Sequence, residues 1–197
     1  MPPIVSWLAA ILILATSVGL VLSRDWRWSL GFLAAQYLGM FWLVSLHWPF
    51  GLASVKLVTG WMASATLGVT WLGMSEHEAI HESAWSQGRL FRLFAAAIVV
   101  ILVIAVTPQI ETMIPGISRP VIAGSLLLTG MGLLHLGITA EILRIILGLL
   151  TVMAGFEILY ATVETSILLA GLLSIINLGL ALVGAYLITA APLEDPE

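Results

Sequence analysis

The chain has 197 residues, of which 60% are hydrophobic and 9% charged, with a mean hydropathy of +1.11. Apolar runs on that scale exceed what a soluble core of this size needs and mark an integral membrane protein. The net charge of −4, with no basic run, argues against nucleic acid and anionic lipid clusters as partners, and the absence of cysteine excludes disulfides, thiolate metal sites and cysteine-ligated iron–sulfur clusters.

A membrane helix needs about 20 apolar residues, so the length fits six or seven crossings and leaves no room for a soluble domain. The expected fold is all-α: a polytopic bundle of about seven helices, with spans near 4–23, 29–47, 52–74, 90–107, 119–138, 142–163 and 165–190. Helices are expected because lipid cannot satisfy an open backbone, and the runs are too long and too little alternating for barrel strands. The opening run has no Lys or Arg before it and reads as the first span rather than a cleavable signal. A single membrane domain, 1–197, is expected to comprise a three-helix unit (1–74), an inner loop and connector helix (75–117), a second three-helix unit (118–190) and an acidic tail (191–197). Leu30-Gly31-Phe32-Leu33 parallels Leu147-Gly148-Leu149-Leu150, which suggests a parallel duplication.

Arg24 and Arg27 follow the first span, Arg89 and Arg92 the third, and Arg144 the fifth, whereas Arg119 alone falls at the opposite side. The positive-inside rule then places the N-terminus outside and the tail inside, in a cytoplasmic or inner membrane. Trp7, Trp26, Trp28, Trp48 and Trp71 lie near span ends, where indoles favour the interface. In the third span Gly60, Ser64 and Gly68 recur every four residues and offer a stripe for close helix packing.

Ionisable groups at membrane depth are costly and point to function. Lys56 and Glu157 both fall at roughly 8–10 Å depth from the outer face at 1.5 Å per residue. If their helices adjoin, they form a buried acid and base pair that passes or gates a proton. The competing reading has Lys56 snorkelling to the interface while Glu157 is protonated or meets a partner subunit. Gln36, Asn177 and His135 complete a candidate polar path, against a plainer role as interhelical hydrogen-bonding groups. His77-Glu78-Ala79-Ile80-His81 matches the H-E-x-x-H zinc pattern, with a chance match in a polar turn as the alternative. There is no glycine-rich phosphate loop, and His47 and His135 fall near opposite faces, which speaks against joint haem ligation; no cofactor is expected.

The layout resembles the small membrane subunits of complex I and its relatives: subunit K of complex I, its C-type counterpart in multisubunit sodium/proton antiporters, and especially hydrogenase-4 component E. The resemblance rests on the inner link Ser23-Arg24-Asp25-Trp26-Arg27, on Arg144-Ile145-Ile146-Leu147-Gly148-Leu149-Leu150 followed by a buried acid, and on Lys56 near a helix start. Two departures stand out: the family's usual glutamate falls on Met153, with Glu157 one turn later, and an acid expected in the following helix is missing, with Ser174 and Asn177 nearby. The resemblance implies a non-catalytic subunit beside large antiporter-like subunits that contributes to proton or cation translocation. A purely structural scaffold subunit is the first alternative and a membrane zinc metalloprotease the second.

Overall fold

The computed structural model describes residues 3–74, 88–114 and 116–190, which form seven α-helices and, among those residues, no strand. They are α1 (Pro3–Leu22), α2 (Trp26–Val44), α3 (Phe50–Gly73), α4 (Arg89–Met113), α5 (Arg119–Ile138), α6 (Ile142–Val163) and α7 (Ile167–Ala190). All but α2 are long and apolar enough to cross a membrane, so the chain is a multi-pass membrane protein in a lipid bilayer. The 19 residues of α2 include Arg27, Gln36 and Tyr37, which lower its hydropathy, yet it lies within the bundle and buries Leu33, Gln36, Tyr37 and Met40.

Local chemistry sets the boundaries. Asp25 caps α2 by accepting from the Arg27 N–H at 2.9 Å, which starts that helix three residues before the hydropathy run begins. The α4 helix continues past Thr107 and through Pro108 to Met113, beyond the expected end at 107. Proline removes one backbone donor and strains the preceding turn, a cost that membrane helices tolerate; beside it Thr107 Oγ1 donates back to the Val103 carbonyl at 2.6 Å. Hydroxyls elsewhere do the same: Ser54, Thr66 and Thr70 each donate to the carbonyl four residues earlier. Such back-bonding is how a polar side chain is tolerated in lipid.

The helices pack as two rows of three with one flanking helix. In one row α1 contacts α2 and α2 contacts α3; in the other α5 contacts α6 and α6 contacts α7. The rows meet like against like, α1 on α5, α2 on α6 and α3 on α7, while α4 lies along α1 and α5. Burial follows this layout, at 61% of the most apolar stretch of α6 and only 22% of that of α4. The second row repeats the helix spacing of the first to within one residue, with starts at Pro3, Trp26 and Phe50 against Arg119, Ile142 and Ile167. Moving along by the α3-to-α7 spacing superposes buried positions: Leu30 on Leu147, Leu33 on Leu150, Met40 on Glu157, Ala53 on Ala170 and Gly60 on Asn177.

The closest helix contact is α5 on α6. A Cβ at Gly132 would lie 2.9 Å from the Gly148 carbonyl oxygen, and one at Gly155 would lie 2.8 Å from the Ser125 carbonyl oxygen, so both helices meet backbone to backbone. The α3 stripe serves side chains instead: Gly60 receives the Tyr37 ring, and Gly68 faces Leu30. Of the tryptophans expected at the interface, Trp48 is buried at 4% exposure. Its Nε1–H donates to the Glu164 carbonyl at 2.9 Å, and its ring meets Tyr160 edge-on. It thereby ties the α2–α3 link to the α6–α7 link, because an indole with a partner for its N–H is more stable packed than wet.

Candidate functional site

Four contacting helices, α2, α3, α7 and α6, close a ring, with α3 and α6 on its diagonal. Lys56 lies about six residues into α3 and Glu157 about six residues before α6 ends, so both stand roughly 9 Å from the same end of the bundle. Lysine is long enough to cross a ring that the two backbones do not bridge. Its Nζ reaches Glu157 Oε1 at 2.9 Å, with both side chains 1% exposed.

The remaining contacts come from α7. Lys56 Nζ also donates to the Ala170 carbonyl at 2.8 Å, and Ser174 Oγ donates to that same carbonyl at 2.9 Å. A helical carbonyl keeps a second lone pair beyond the one its backbone bond uses, which lets Ala170 accept from side chains as well. Asn177 Nδ2 donates to Glu157 Oε1 at 3.1 Å. One carboxylate oxygen therefore takes both donors, while Oε2 and the Asn177 Oδ1 have no protein hydrogen-bond partner among the described residues. Burying an ion pair is costly unless further hydrogen bonds support it, and here α7 supplies them.

Tyr37 carries no mark of function in the sequence, yet it belongs to this centre. It is 1% exposed, packs on Gly60 one turn beyond Lys56, and lies within electrostatic reach of the Glu157 carboxylate. Its hydroxyl has no protein partner among the described residues. A lone tyrosine near the middle of a span names no partner; only the facing glycine on α3 signals a buried ring.

The other candidates are elsewhere. Gln36 is fully buried, but neither of its amide atoms hydrogen-bonds to the pair or to another described residue. His135 is fully buried near the other end of the bundle, within electrostatic reach of Arg144 and Arg92, and its ring nitrogens have no hydrogen-bond partner among the described residues. The structure thus joins Lys56, Glu157 and Asn177 directly and gives no hydrogen-bonded link from them to Gln36 or His135. Met153, where the resemblance puts an acid, is half-buried. The stretch His77, Glu78 and His81 lies outside the described residues, and among those described no cluster of His, Asp or Glu could hold a metal.

Of the inner-link arginines, Arg24 and Arg27 are exposed, and Arg27 sits 5.4 Å from the Trp26 ring centre. Arg144 is instead buried at 3% exposure. Its Nε pairs with Glu141 at 2.6 Å, and its two terminal nitrogens donate to the Ser23 and Arg24 carbonyls at 2.8 and 2.7 Å. It braces the α1–α2 link by taking up two carbonyls just past the end of α1, a role for which the planar guanidinium is suited. No family model, curated protein or solved structure matches the chain.

Proposed function

We propose that the chain is an accessory, non-catalytic membrane subunit of an ion-translocating assembly of the complex I, hydrogenase-linked or multisubunit antiporter kind. In this reading Glu157 is a protonatable station and Lys56 its charge partner. The observation that carries it is the sealed Lys56–Glu157 pair on the ring diagonal, because a charge pair this deep is expensive and marks ion or proton pathways. The bare Oε2 is the atom positioned to take a proton, since Oε1 is already engaged by Lys56 and Asn177. A proton arriving there neutralises the carboxylate and leaves the ammonium held chiefly by the Ala170 carbonyl. That change alters which helix Lys56 is tied to, and so couples protonation to α3, α6 and α7.

The carboxylate and the amide beside it have no counterparts in the first row. Positions there that correspond to Glu157 and Asn177 are Met40 and Gly60, neither of which carries a charge. A single station fits a subunit that assists larger antiporter-like partners. The arginine distribution supports an outside N-terminus and an inside C-terminus in a cytoplasmic or inner membrane.

Purification of the tagged chain from its native membrane, followed by transport assays on vesicles holding the captured complex, tests the reading. Large antiporter-like subunits are expected to copurify, and Glu157→Gln is expected to slow coupled ion transport without disrupting assembly. Unchanged transport in that variant would remove Glu157 from the mechanism. The scaffold reading draws on the backbone contacts of Gly132, Gly148 and Gly155, and it expects transport to survive Glu157→Gln while leucine at Gly60, Ser64 or Gly68 disrupts assembly. Zinc hydrolysis would require metal in the purified protein.

A further inference from the structure

Beyond the ion pair, the structure contains a second chemically distinct feature, where α4 leans on α1 and α5. At the arginine-rich end these three helices close tightly, with Val21, Ala96 and Met131 buried together and Arg92 Nη1 donating to the Val21 carbonyl at 3.5 Å. Toward the N-terminal end they part and leave a cleft of about 370 Å³. Trp7, Leu14, Val103, Thr107, Pro108 and Arg119 are among its walls.

The cleft lies at the depth of one leaflet and is apolar within. From Trp7 to Leu14 it extends from about 6 to about 16 Å below the start of α1 at 1.5 Å per residue, and half of a bilayer's hydrocarbon core is about 15 Å. Its depths are aliphatic, so a dry, apolar occupant is favoured. Its mouth is not apolar: Arg119, with a side chain 61% exposed, pairs with Glu111, 33% exposed, one turn beyond Pro108. A guanidinium held by a carboxylate through Nε keeps its outer donors for a phosphate, and the carboxylate beside it favours an ammonium. One positive and one negative group at the mouth therefore match a zwitterionic headgroup rather than a net anionic one.

We propose that this cleft is a binding site for a single zwitterionic phospholipid of the ethanolamine type. One acyl chain lies between α1 and α4, the phosphate sits on Arg119 and the ammonium beside Glu111. The proposal is independent of the function proposed for Glu157, since none of these residues touches the ion pair.

Native mass spectrometry tests it on the full chain released from nanodiscs containing equal amounts of phosphatidylethanolamine and phosphatidylglycerol. The wild type is expected to retain one phosphatidylethanolamine, and Ala123→Trp, at a further wall position on α5, fills the cleft and is expected to lower retention at least tenfold. Arg119→Gln is expected to weaken retention several-fold, and Glu111→Gln to shift the retained lipid toward phosphatidylglycerol; both lie at the surface and leave the bundle packing intact. Val183→Trp, on the lipid-facing side of α7, controls for a general effect of tryptophan and should retain lipid as the wild type does. Absence of retained phospholipid in the wild type overturns the proposal. So do wild-type retention by the Ala123 and Arg119 variants, a preference for phosphatidylglycerol in the wild type, and a second copy of the chain found in place of lipid.

Discussion

Lys56 Nζ and Glu157 Oε1 stand 2.9 Å apart across the diagonal of a four-helix ring in which α3 and α6 touch far less than neighbouring helices do. The side chains alone span the gap, and α7 completes the contact through Ala170 and Asn177. A pair built this way is sensitive to losing its cation, whereas Glu157→Gln keeps a side-chain oxygen for Lys56 and Asn177 and leaves the Ala170 contact in place.

Removing one charge should cost more than removing both. Lys56→Met leaves the Glu157 carboxylate buried without its cation and is expected to destabilise the bundle by about 3–5 kcal/mol, whereas Lys56→Met combined with Glu157→Leu should recover most of that loss. Unfolding in mixed micelles measures the difference. A double variant as unstable as the worse single one would show that the ring needs polarity at its centre.

Tyr37→Phe separates packing from proton handling. The ring fills the space over Gly60 in both residues, and the hydroxyl makes no hydrogen bond to the described residues, so removal should leave stability unchanged or raise it by about 1 kcal/mol. If the phenol relays protons to Glu157 Oε2, coupled transport falls while stability holds. Loss of stability in that variant would reveal a structural partner for the hydroxyl.

Three glycines should rank by what a new Cβ meets. Gly155→Ala drives a methyl against the Thr129 amide at 2.7 Å and the Ser125 carbonyl at 2.8 Å, contacts with backbone that cannot swing aside. It should cost about 3 kcal/mol, at the upper end for overpacking. Gly60→Ala meets the inner atoms of the buried Tyr37 ring, which cannot swing clear, and should cost as much, about 3 kcal/mol. Gly171→Ala meets open space and should be neutral. Thermal melting of the three variants gives the order directly.

Trp48→Phe keeps an aromatic ring against Tyr160 but removes the donor to the Glu164 carbonyl. A loss of about 1 kcal/mol is expected, together with faster hydrogen exchange confined to the α2–α3 and α6–α7 links. Exchange unchanged at Glu164 and its neighbours would show that the indole does not tie the two links.

Arg144→Lys tests the brace at the other end. Lysine carries the charge but lacks the fork that reaches Glu141, Ser23 and Arg24 together. The variant should lose about 2 kcal/mol, of the order of one or two hydrogen bonds to a charged group, and should cleave more readily in the α1–α2 link. Equal protease resistance would assign Arg144 to orientation in the membrane alone.

Composition and hydropathy by themselves determined the helical membrane bundle, because lipid leaves a long apolar chain no other way to satisfy its backbone. They also located α5 and α6, whose ends agree with the apolar runs, and marked Lys56, Glu157 and Asn177 as costly residues at membrane depth. What tertiary structure decided was direction and partnership: hydropathy carries no information on which neighbour a helix turns its polar side toward. The Lys56 reach across the ring, the Tyr37 ring on Gly60, the burial of Trp48 and the separation of His135 from Glu157 all depend on helix rotation. Rotation is set by backbone contacts such as those of Gly132, Gly148 and Gly155, which pack α6, the helix that carries Glu157, against α5, which carries no member of the ion pair.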